Sequence, residues 1–105
     1  MTFLRFAANP VRRVDRERSL WFVEASWHGL DWPMRDALTK KVRGHAGSGM
    51  YMVTKRYDID WTTSSQERAL AIGKRVVAAV KAENDLRVRH GIPVTHVRVR
   101  IYEGK

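Results

Sequence analysis

The 105-residue chain contains no cysteine. That excludes disulfides, thiolate zinc sites, iron–sulfur clusters and cysteine nucleophiles, and it fits a reducing compartment. No stretch approaches the ~20 apolar residues that a membrane-spanning helix needs. The apolar start, Met1 to Ala8, is short and is followed at once by Arg12, Arg13, Asp15, Arg16, Glu17 and Arg18, unlike the core of an export signal. A cytoplasmic protein without membrane contact is therefore expected. Proline occurs three times, and the only glycine-rich stretch is Gly44-His-Ala-Gly-Ser-Gly49, so nothing resembles a linker between domains. Negative charge is also scarce. Eleven Asp and Glu stand against twenty Lys and Arg, for a net charge of +9 and an isoelectric point near 10.7.

What is present describes one folded domain. Apolar residues make up 44% of the chain and charged residues 30%, enough to bury a core and unlike a disordered composition. Residues 1–18 read as a basic N-terminal segment, with an edge strand over Phe3 to Ala8, and residues 19–105 as a single α+β domain. A long helix is predicted after Trp61. Ser64 and Glu67 form a capping box at its start, and Ala69, Leu70, Ile72, Gly73, Val76, Val77, Ala79 and Val80 fall on one side at 100° per residue. Arg68, Lys74, Arg75 and Lys81 fall on the other. The stripe fails past residue 82, where Glu83, Asn84 and Arg87 would occupy its centre. A continuation is expected to overhang the core and to end between 83 and 90, before Gly91 and Pro93. A shorter helix is predicted from Pro33 to Arg43, burying Met34, Ala37, Leu38 and Val42.

Period-2 alternation predicts strands over Ser19 to Trp27, Gly49 to Trp61 and Val94 to Tyr102. The expected fold is a two-layer α+β sandwich, an approximately four-stranded sheet with two helices on one face. Right-handed crossovers place both helices on the same side, leaving the other side open. Alternation then assigns Phe22, Met50, Met52, Arg56, His96, Arg98, Arg100 and Tyr102 to the open face.

Aromatic and Arg side chains on an open sheet can stack bases and meet phosphates, as single-strand binders do. The leading expectation is a non-enzymatic module that binds nucleic acid or another acidic partner through Arg56, Arg98, Arg100, Tyr102 and His96, assisted by Lys74 and Arg75. No cofactor is expected. The alternative is a protein-interaction module, a homodimer among its forms, built on Phe22, Met50 and Met52. A third reading is a metal-dependent nuclease at Asp58 and Asp60, two carboxylates on one strand face, although no third ligand is apparent. Charge favours an acidic partner: residues 1–18 carry +3, residues 19–63 carry +1 and residues 64–105 carry +5. Arg5, Arg12, Arg13, Arg16 and Arg18 would form a basic arm, interrupted by Asp15 and Glu17.

The remaining motifs are weaker. Gly44 to Gly49 lacks the Lys-Ser/Thr pair of a phosphate loop and leads into a strand, so it reads as a helix-to-strand connection. His28, His45, His90 and His96 show no metal-ligand spacing. Trp21, Trp27, Trp32 and Trp61 read as core bulk. The order of elements resembles ferredoxin-like folds, RNA-recognition modules included, in architecture alone. The octapeptide that such modules carry on a central strand is matched only loosely by Gly47-Ser-Gly49-Met-Tyr-Met-Val53, where Met50 and Met52 stand at positions that need aromatics. No family is assigned on that basis.

Overall fold

The computed structural model describes the backbone of residues 3–6 and the whole of residues 20–104. The elements run β1 (Phe3–Phe6), β2 (Leu20–His28), α1 (Trp32–Lys41), β3 (His45–Tyr51), β4 (Arg56–Thr63), α2 (Gln66–Arg89) and β5 (Arg98–Gly104). One sheet has the order β1-β5-β2-β4-β3. The last four strands in that order pair antiparallel, and β1 lies parallel to β5 at one edge. From β2 onward this is the split β-α-β topology of a ferredoxin-like α+β sandwich. The basic arm at Arg12, Arg13, Arg16 and Arg18 lies outside the described residues, and Arg5 is described only as the backbone partner of Arg100.

Alternation in β2, β4 and β5 sets the two faces as expected. Val23, Ala25 and Trp27, then Tyr57, Ile59 and Trp61, then Val99 and Ile101 are buried under the helices. They meet Met34, Leu38 and Val42 from α1 and its cap, and Ala69, Val76, Ala79 and Val80 from α2. Each large side chain removed from water in this way contributes about 1.5–3 kcal/mol. Trp61 also donates its indole N–H to the Val42 carbonyl at 3.1 Å, which ties the end of β4 to the end of α1. Trp32 departs from the core role expected of it; half exposed, it packs edge-on against Tyr57.

The strand expected over Gly49 to Trp61 is two strands. Residues 52–55 turn the chain, Lys55 taking a left-handed φ of 58°, and β3 returns as β4 with Tyr51 opposite Arg56. The glycine-rich stretch is correspondingly not a loop, since residues 45–51 form β3. The turn overturns two face assignments. Met50 pairs with Tyr57 and packs against the core, whereas Met52 sits in the turn, 70% exposed. The last strand begins at Arg98, not Val94, so His96 precedes it, exposed between half-buried Thr95 and buried Val97.

Helix α2 starts one residue later than its motif suggests: Ser65, not Ser64, is the N-cap and accepts from the Arg68 amide at 3.1 Å. It also stays packed well beyond residue 82. Arg87 is only 8% exposed. Its guanidinium donates twice to the Asp31 carboxylate, both at 2.8 Å, and also to Thr95 and Glu83. Asn84 completes the cluster by exchanging two hydrogen bonds with the Thr95 backbone. The polar residues that break the apolar stripe are thus buried or half-buried with their hydrogen bonds made, to Asp31, Thr95 and one another.

Candidate functional site

No described element packs on the other side of the sheet, and register orders that face into rows. At one end Tyr102 lies opposite Phe22, which lies opposite Thr62. The next row is Arg100, Glu24, Asp60 and Gly47, and the one after it Arg98, Ser26, Asp58 and Gly49. His28, Arg56 and Tyr51 close the far end. The expected Arg56, Arg98, Arg100, Tyr102 and Phe22 are therefore on this face, but so are three carboxylates. Among the residues whose side chains are described, three arginines meet Glu24, Asp58 and Asp60, so their formal charges cancel.

Pairing removes part of what the sequence offered there. Arg100 binds Glu24 at 2.7 Å and lies over the Tyr102 ring, 5.3 Å from its centroid. Arg56 donates to the Ser26 hydroxyl at 3.1 Å. Phe22 and Tyr102 stack at 5.3 Å with an interplanar angle of 17°, and burial pushes the Tyr102 phenol above its usual value. Asp60 is the least comfortable group. Burial, then Glu24 and Asp58, push its carboxyl up to about 6, and its Oδ1 is buried without a hydrogen-bond partner. Burial and Glu24 likewise raise Asp58. Among the described residues no group of three or more His, Asp or Glu is placed to hold a metal ion.

The excess positive charge lies elsewhere. At the end of the molecule where α1 finishes and α2 begins, Lys40, Lys41, Arg43, Arg68, Lys74 and Arg75 outnumber the carboxylates Glu67 and Glu103. Lys74 and Arg75, picked out from the sequence, are exposed on α2. Arg43 and Arg68 were not singled out. With Gly44, Thr62, Thr63, Ala71, Ile72 and Arg75 they line a pocket of about 330 Å³. The helix spacing held a signal for half of it: Arg68, Ala71, Ile72 and Arg75 are i, i+3, i+4 and i+7, one stripe of α2. Arg43 joins them only because α1 and α2 run antiparallel in one layer. Thr62 belongs both to this pocket and to the Phe22–Tyr102 row, so the aromatic pair and the basic pocket share an end of the protein.

No family model, curated protein or solved structure matches the chain. Function therefore rests on the chemistry of these surfaces. The opposite end of the molecule carries exposed hydrophobics, Leu30, Trp32, Tyr51, Met52, Val53, Ile92 and Val94, with Val53 at 96%. Among the described residues no helix is long and apolar enough to cross a membrane.

Proposed function

We propose that the protein is a non-enzymatic module that binds single-stranded nucleic acid at its basic end. The observation that carries this reading is the juxtaposition of Arg43, Arg68 and Arg75, none of which makes an ion pair with a described residue, and the stacked Phe22–Tyr102 pair beyond Thr62. Unneutralised guanidinium groups meet phosphates, and aromatic faces stack bases without regard to sequence. The open sheet remains part of the interface at the Tyr102 and Phe22 row, while Glu24, Asp58 and Asp60 offset the arginines at its centre. The test is an anisotropy titration of a labelled oligonucleotide at two salt concentrations. Replacing three phosphate-contacting cations is expected to lower the slope of log K against log salt by about 2 for a single strand, so the triple variant Arg43→Gln/Arg68→Gln/Arg75→Gln should show that loss. Absence of binding at low salt, or binding insensitive to salt, refutes the reading.

A second reading is favoured by the exposed hydrophobics at the opposite end. Large exposed hydrophobics gathered at one site mark protein interfaces, and Met52 and Val53 on a protruding hairpin suit one. If a homodimer forms there, Met52→Asp abolishes it in sedimentation, and a wild type that stays monomeric at high concentration refutes the dimer.

A further inference from the structure

We infer that the pocket between the segment after α1, the end of β4 and the first turns of α2 is a discrete site for a multiply charged phosphoryl group, a phosphomonoester or diphosphate, rather than one more point of contact with a phosphodiester backbone. For the strand as the source of that group, the inference rests on the nucleic-acid reading above.

Charge is the first reason. A backbone diester carries a single negative charge, whereas a phosphomonoester carries about −1.5 to −2 near neutral pH and presents three acceptor oxygens. Arg43, Arg68 and Arg75 supply three guanidinium groups to one concavity, and no carboxylate lines it. A diester would leave most of that charge unneutralised. Guanidinium forks bind the oxygens of phosphates in pairs, so a group with three free terminal oxygens uses the set more fully than one with two.

Shape is the second. The pocket, about 330 Å³, lies at the lower end of the roughly 300–1,000 Å³ of small-ligand sites. It is larger than a bare ion requires and opens broadly to solvent, so a phosphoryl group can seat there with the group attached to it lying outward. Thr62 and Thr63 add hydroxyl groups to its wall, which can donate to phosphoryl oxygens. Ala71 and Ile72 form the apolar part of the lining, against which a group attached to the phosphate can rest.

Two sources supply this chemistry, the 5′-phosphate at the end of a strand and a free phosphorylated small molecule. The experiment therefore has two arms. In the first, melting temperature is followed while pyrophosphate is added to the wild type and to Arg68→Gln and Arg75→Gln. Both positions are solvent-exposed on α2, so the unliganded variants should melt with the wild type. In the second, anisotropy compares one oligonucleotide carrying a 5′-phosphate with the same oligonucleotide carrying a 5′-hydroxyl, at equal salt.

Pyrophosphate is expected to raise the melting temperature of the wild type and not of either variant. The 5′-phosphorylated strand is expected to bind at least about tenfold more tightly, as one added charge-assisted hydrogen bond implies, with that advantage lost in Arg75→Gln. A pyrophosphate response without an end preference supports the pocket and assigns it to a free ligand. A pyrophosphate response with no strand binding also supports the pocket, while refuting the nucleic-acid reading. Equal binding of both strands with no response to pyrophosphate overturns the inference and leaves nucleic-acid binding standing.

Discussion

Neutralising Asp31 should remove a large share of this domain's stability. Asp31 does two jobs. One oxygen caps α1 by accepting the Met34 amide at 3.0 Å, and the carboxylate binds Arg87 from 56 residues away at 2.8 Å on both oxygens. The side chains are only 14% and 9% exposed. The hydrogen bonds from Arg87 are the chief reason that the Asp31 carboxyl falls from 3.8 to about 2, with Thr95 and the Met34 amide adding to the effect against a cost of burial. That shift corresponds to about 2–3 kcal/mol, and breaking a buried pair by removing one partner costs about 3–5 kcal/mol. Asp31→Asn keeps a good N-cap and so isolates the charge. It should cost about 2–4 kcal/mol at pH 7 in urea unfolding, against a total near 5–15 kcal/mol for a domain. Arg87→Met should cost as much, and the double variant less than the sum, with a coupling of about 2 kcal/mol. The sign in acid follows from the lowered value: the stabilisation is complete above the unfolded pKa near 4 and disappears as pH falls toward 2. Asp31→Asn should lack that part of the acid loss. Singles within 0.5 kcal/mol of wild type, or strictly additive costs, would refute the reasoning.

Asp60 should behave in the opposite sense. Its folded value near 6 lies above the unfolded 3.8, so its favourable contribution is present below about pH 4 and lost as pH rises through 6. Asp60→Asn is expected to stabilise the protein by about 1–2 kcal/mol at pH 7.5 after allowance for solvent screening, and to flatten the fall in stability between about pH 4 and 6; an unchanged pH profile in calorimetry contradicts this. Gly104→Ala places a methyl group 2.5 Å from the Phe22 ring, so the ring must move from its stack with Tyr102. A cost of about 1–3 kcal/mol is expected, with a changed Tyr102 environment in near-ultraviolet circular dichroism, and no change in either measurement contradicts the packing.

Local pattern was sufficient for most of the fold. Alternation in β2, β4 and β5 needs only the period of a strand, and the apolar stripe from Ala69 to Val80 needs only that of a helix. The hairpin between β3 and β4 escaped because its tip, Met52-Val-Thr-Lys55, carries none of the Asn-Gly or Asp-Gly pairs that mark tight turns; Lys55 adopts the left-handed conformation without the usual residue type. Missing that turn inverted Met50 and displaced Met52. Tertiary contacts account for the rest. Arg87 looks like a break in the stripe until Asp31 is brought to it, and Arg100 looks like a free cation until β2 places Glu24 beside it. Arg43 and Arg75 are 32 residues apart in the sequence and meet only through the layering of the helices.

The same layering explains why the charge of the molecule is divided as it is. Cations in and just after the last turn of α1 are favoured by its macrodipole, so Lys40, Lys41 and Arg43 are well placed for stability. Arg68 is not, because it occupies the first turn of α2, where the helix end is already positive and Glu67 alone offsets it. Antiparallel packing then sets the two groups side by side, and Arg75 adds a third guanidinium from the next turns. Electrostatic strain of one sign is thus concentrated at the helix ends, and strain of the other sign at Asp60 in the centre of the sheet. A polyanion relieves the first and is repelled by the second. On the nucleic-acid reading proposed above, the carboxylates of the open face would offset its arginines, so that a phosphate backbone gains most at the end where Phe22, Tyr102 and Thr62 adjoin the arginine pocket.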